Sequence, residues 1–137
     1  QEFGADEILL LPLYPQFSTT TTQSSLNKWQ SCARAAGLTA PSYGICCYPV
    51  EPGLIAAQAK LLGAALAGQS GDQPMRVLFS AHGLPEKIVA KGDPYPAQIA
   101  KTAAAIASDV GAVHGDGFSS LVVHSLSFSC VDHRLGE

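Results

Sequence analysis

Apolar positions along this chain follow two different spacings. Ile8 to Leu13 is a nearly continuous apolar run, the kind that fills a central parallel strand, and Pro12 and Pro15 end it around Tyr14. Leu26, Trp29, Cys32, Ala33 and Ala36 then recur every three or four residues, predicting a helix that Gly37 terminates. Ser42 to Val50 reads as a second, weaker strand, interrupted by Gly44 and Pro49. Glu51-Pro52-Gly53 opens a second helix with an apolar face of Leu54, Ile55, Leu61, Leu62, Ala65 and Leu66, ending at Gly68. Met75 to Ala81 is a third strand, followed by a short helical turn through Ile88 and Val89. Gly92-Asp93-Pro94-Tyr95-Pro96 forms a stiff loop. Ala97 to Val110 predicts an alanine-rich helix, and Ser119 to Val123 a fourth strand.

Strands alternating with helices imply an α/β chain whose parallel sheet is covered by helices on both faces. Composition agrees with a packed core: 47% of the 137 residues are hydrophobic and 14% charged. The formal net charge is −3 and the eight lysines and arginines are scattered, so nothing marks a nucleic-acid surface. No apolar run approaches the roughly 20 residues of a membrane span, and no basic segment with an apolar core suggests a signal peptide. Gln1 starts a chain that is already strand-like by Glu7 to Leu11, which reads as part of a longer protein. The four cysteines, Cys32, Cys46, Cys47 and Cys130, have no zinc-like spacing and are expected as reduced, buried thiols. A bridge between adjacent Cys46 and Cys47 would be strained.

In open parallel sheets, ligands bind beyond the C-terminal ends of the strands. Two candidates fall there: Tyr14 after the first strand and His82 after the third, in Ser80-Ala81-His82-Gly83-Leu84-Pro85. A neutral imidazole at a strand end can serve as metal ligand or general base, or simply satisfy a backbone carbonyl. Gly83 allows a flat ligand close to the backbone. Tyr14 between prolines is either packing or a stacking contact for a planar ligand. Asp93 fits a tight turn first, and an orienting partner for an imidazole second. The hydroxyl run Ser18 to Thr22 suits helix capping first and contact with an anionic group second. Gly68-Gln69-Ser70-Gly71 lacks the glycine placement of a nucleophile elbow. There is no dinucleotide fingerprint or Walker lysine. His114, His124 and His133 lack metal-ligand spacing and read as surface residues.

Three segments in order, "LLPLYPQFSTTT", "VLFSAHGLP" and "KGDPY", resemble the ferrochelatase family over roughly residues 4 to 112. The resemblance implies a Rossmann-like, chelatase-type fold, here incomplete relative to the family's two lobes. The implied activity is insertion of ferrous iron into protoporphyrin IX to give protohaem. His82 would be the catalytic imidazole that binds the metal or accepts pyrrole protons, and Tyr14 a porphyrin contact. Ferrous iron is then a substrate, and no cofactor is permanently bound. Some members carry a cluster-binding cysteine where this chain has Thr19, so no iron–sulfur cluster is expected. The implied setting is cytoplasmic, peripheral to the inner membrane because the substrate is apolar. From Gly115 the sequence departs from the family pattern, which divides the chain into a ferrochelatase-like segment, 1–114, and a tail, 115–137. The family's acidic second-lobe stretch is not among these residues, so the chain alone is expected to be incomplete for catalysis. Two rival readings are a related tetrapyrrole chelatase and a non-catalytic α/β module that binds a porphyrin or a partner.

Overall fold

The computed structural model describes residues 4–68, 75–114 and 118–125. The chain divides into two compact units, residues 1–48 and 49–137. Among the described residues, each contains one parallel strand pair. The α/β class with parallel pairing is therefore realised in both.

In the first unit, β1 (Ile8–Leu10) pairs in parallel with β2 (Ser42–Gly44), with Ile8 opposite Ser42 and Leu10 opposite Gly44. Both strands are shorter than the apolar runs predict. β1 stops before Pro12, whose ring removes a ladder donor. After β2 the Ile45 amide still donates to the Leu10 carbonyl at 2.9 Å, and the next residues then leave the ladder. The connection between the strands begins with a π-helical turn, Thr19–Gln23, and continues as α1 (Ser24–Ala35). Ser18 caps this turn, its hydroxyl accepting from the Thr20 amide at 3.2 Å. The Gln23 amide reaches back five residues to the Ser18 carbonyl, the spacing that defines a π turn. α1 ends at Gly37, whose φ of +66° is left-handed, and the Leu38 amide bonds the Ala33 carbonyl at 2.9 Å. Leu26 of α1 packs against Gly44 so closely that a Cβ there would lie 3.1 Å from its methyl group. A glycine in β2 thus lets the helix settle on the strand pair.

In the second unit, Glu51 opens α2 (Pro52–Ala67), its carboxylate accepting from the Leu54 amide at 2.7 Å. β3 (Met75–Ala81) pairs in parallel with β4 (Phe118–Ser125), Phe79 opposite Val123, with an irregularity between Met75 and Val77. α3 (Glu86–Val89) is a single turn, and α4 (Tyr95–His114) extends the predicted helix at both ends. Ile55 and Ala59 of α2 and Ile106 and Val110 of α4 form the buried core, with Leu62, Leu66 and Phe79 packed on it. Small side chains on α2, Ala59 and the buried Gly63, permit close approach of the helices. Strand alternation puts Val77, Phe79 and Ala81 towards this core, while Leu78 is 62% exposed on the other face. The Thr102 hydroxyl of α4 donates to the Pro49 carbonyl at 2.6 Å, tying the start of the unit to its long helix. The segment 68–71 mostly, the 114/115 boundary of the predicted tail and most of that tail lie outside the described residues.

Candidate functional site

His82 follows the last residue of β3 directly and is exposed. Its backbone is held by a residue thirteen positions on. The His82 amide donates to the phenol oxygen of Tyr95. Burial pushes the Tyr95 hydroxyl above its ordinary pKa, and the amide donor partly offsets this. Tyr95 is itself fixed at the first residue of α4, where its amide donates to Asp93 Oδ1 at 3.0 Å. Asp93 is buried, only 7% exposed. Gly92 precedes it with a φ of +89°, a left-handed conformation suited to glycine, and its amide closes the turn after α3 on the Val89 carbonyl at 2.9 Å. The Gly92-Asp93-Pro94-Tyr95 loop therefore does connect to His82. The link runs through Tyr95 to the backbone, with Asp93 capping the helix that carries Tyr95. Sequence reasoning reads Asp93 as a turn residue first and an orienting partner second, and misses Tyr95, because a phenol meeting a distant amide leaves no local signal.

Tyr14 lies four residues beyond β1, in the turn bounded by Pro12 and Pro15, and is 47% exposed. Its neighbours Leu11 and Leu13 are also open, at 54% and 82% exposure. Tyr48 clamps this turn at both prolines. Its hydroxyl donates to the Pro12 carbonyl at 2.9 Å and its amide to the Pro15 carbonyl at 2.8 Å. The sequence gives no sign of this role. In the adjoining hydroxyl run, Ser18 and Thr22 are almost fully buried, whereas Thr19 and Thr20 are exposed. Capping by Ser18 is realised, and its hydroxyl also shares a hydrogen bond of 2.9 Å with that of Thr20.

Tyr14 and His82 belong to different units, and each is placed by the strand before it. A cavity of about 790 Å³ in the first unit lies elsewhere, at the start of β1, lined by Asp6, Ile8, Trp29, Ala33, Leu38 and Pro41. Among the described residues, no group of three or more histidine, cysteine or acidic side chains could hold a metal ion. Contrary to expectation, Cys32 and Cys46 are exposed and Cys47 is half-buried. Cys130, His133 and the side chains of His114 and His124 fall outside the described residues.

A family model described as ferrochelatase matches residues 1–128. The chain belongs to the ferrochelatase family. The match runs through β4. This chain is 51% identical over 106 residues to ferrochelatase of Phenylobacterium zucineum, covering 77% of this chain and 30% of that protein. It is 47% identical over 106 residues to ferrochelatase of Caulobacter vibrioides, with the same coverage. It is 47% identical over 114 residues to ferrochelatase of Hyphomonas neptunium, covering 82% of this chain and 30% of that protein. The chain thus spans about 30% of the length of these curated relatives. Its strand-end segments, with Tyr14 and His82, carry the motifs by which the sequence resembles the ferrochelatase family.

Proposed function

We propose that this chain supplies His82 and Tyr14 to ferrochelatase chemistry, in which ferrous iron enters protoporphyrin IX and two pyrrole protons leave. The observation that supports this best is an exposed imidazole on a backbone fixed by Tyr95, in a chain of the ferrochelatase family. Metal insertion breaks two pyrrole N–H bonds as iron binds all four ring nitrogens, so a neutral base beside the ring must receive protons as the metal arrives. An imidazole suits this work near neutral pH, and it can also present the metal. Tyr14, open beside Leu11 and Leu13 on a turn clamped by Tyr48, offers a firm apolar contact to a flat macrocycle. A rigid contact at the ring edge can hold the macrocycle in a distorted shape that exposes its nitrogen lone pairs.

Iron is substrate in this reading, and Thr19, in place of a cluster-binding cysteine, leaves no ligand there for an iron–sulfur cluster. No helix among the described residues is long and apolar enough to cross a membrane. The exposed Leu11 and Leu13 beside Tyr14 favour a cytoplasmic chain that meets the inner membrane peripherally, where an apolar porphyrin concentrates.

The test mixes the 137-residue chain with protoporphyrin IX and follows the porphyrin spectrum on adding ferrous iron or zinc, with His82→Ala in parallel. Porphyrin binding by the parent chain, with only slow metallation because these residues do not include the family's acidic second-lobe stretch, and a further fall of about 100-fold or more in His82→Ala, is the expected result. Binding with no metallation would favour the non-catalytic porphyrin-binding reading. Metallation indifferent to His82→Ala would remove His82 from its assigned role.

A further inference from the structure

Cys46 and Cys47 are neighbours in sequence, yet their side chains converge. The Cys46 thiol donates to Cys47 Sγ across 3.3 Å. The backbone around them is anchored on both sides. The Ile45 amide is bonded to Leu10, and Tyr48 is bonded to Pro15 through its amide and to Pro12 through its hydroxyl. Cys46 is exposed and Cys47 half-buried, so the pair can be reached from solvent.

We propose that Cys46 and Cys47 form a preorganised dithiol site that chelates a thiophilic three-coordinate centre of the trivalent arsenical class.

Three alternatives fit the geometry less well. A disulfide would require the sulfurs to close from 3.3 Å to about 2.05 Å, between Cα atoms only about 3.8 Å apart, below the usual disulfide span. Inserting one atom between the sulfurs avoids that closure. Two bonds of about 2.3 Å, an ordinary metal–thiolate length, reach sulfurs 3.3 Å apart at an angle of about 90°. A pyramidal centre accepts such an angle. A tetrahedral zinc ion needs a wider one and four ligands, and no cluster of three or more candidate ligands occurs among the described residues. Enhanced nucleophilicity of one cysteine is also disfavoured. The hydrogen bond to Cys47, then burial, pushes the Cys46 thiol above its ordinary pKa, so convergence of two sulfurs is what distinguishes the pair.

The reaction balances without an oxidant. An organoarsenic oxide exchanges its oxygen for two thiolate sulfurs. Two As–S bonds form, and the two thiol protons leave with the oxygen as water. Arsenic remains trivalent.

The test treats the chain with one equivalent of phenylarsine oxide, challenges it with excess 2-mercaptoethanol, and reads the adduct by intact mass. One adduct per chain that survives the monothiol and is removed by 2,3-dimercaptopropanol is expected. Cys46→Ser and Cys47→Ser should each lower the retained adduct by at least 10-fold. A Cys32→Ser/Cys130→Ser chain should keep it, which separates loss of the site from loss of the fold. Failure to form a resistant adduct, its survival in Cys46→Ser/Cys47→Ser, or its loss in Cys32→Ser/Cys130→Ser would each overturn the proposal.

Discussion

His82 leaves β3 with its amide committed to the Tyr95 phenol and its imidazole exposed. Backbone position and side-chain availability are thus set by different interactions. Tyr95→Phe keeps the ring and removes the acceptor, leaving the His82 amide without that bond. Because Tyr95 is only partly buried, the stability loss should lie near the lower end for a hydrogen bond, about 0.5–1 kcal/mol in denaturant unfolding. Amide hydrogen exchange offers the more specific check: His82 should exchange several-fold faster in Tyr95→Phe, while amides in α2 stay unchanged. An unchanged His82 rate would show that Tyr95 does not hold this residue. The strand-end positions of His82 and Tyr14 were legible in sequence because a strand end followed by glycine, or bracketed by prolines, announces itself locally. Tyr95 and Tyr48 were not, since each acts on backbone groups that only the tertiary fold brings near.

Caps show how far single residues set whole elements. Glu51 and Pro52 mark the start of α2 in the sequence, and the helix begins there because the Glu51 carboxylate takes the Leu54 amide. The Leu54 amide, then that of Gly53, hold the Glu51 carboxyl below its usual range. The folded chain therefore gives up this proton more readily than the unfolded chain. Its stabilising contribution is full above the unfolded glutamate pKa of about 4.3 and fades as pH falls through the lower folded value. Glu51→Gln should melt at a lower temperature than the parent chain near neutral pH. The gap should narrow as both are melted at progressively more acidic pH. A gap constant with pH would mean that the charge of Glu51 plays no part. Other element boundaries were harder to read. A continuous apolar run made β1 look longer, and β2 was read through its interruptions as far as Val50, but ladder hydrogen bonding stops near Pro12 and after Ile45. The π-helical form of Thr19–Gln23 was also hidden. A run of threonines specifies capping chemistry but not whether the Ser18 carbonyl will meet the Gln23 amide.

Across the whole chain, alternation of strand and helix signals sufficed for the parallel α/β class, because each crossover unit writes its own periodicity. Division at Tyr48 was not legible, since no linker composition marks it and contact density alone defines the units. Within the second unit, the core connects the site to the helices. Ile106, 3% exposed, packs with Ile55, Ala59 and Val110, and Phe79 of β3 rests on this cluster three residues before His82. Ile106→Ala removes methyl groups from the point where α2, α4 and β3 converge, and should cost about 2–4 kcal/mol in denaturant unfolding followed by circular dichroism. Leu61, on the same unit but 74% exposed, supplies the comparison: Leu61→Ala should change stability by less than about 0.5 kcal/mol. Equal effects of the two substitutions would contradict the placement of this core. A loss confined to Ile106→Ala would instead show that β3, and the histidine at its end, depends on helix packing that starts at Pro49 and ends beyond Val110.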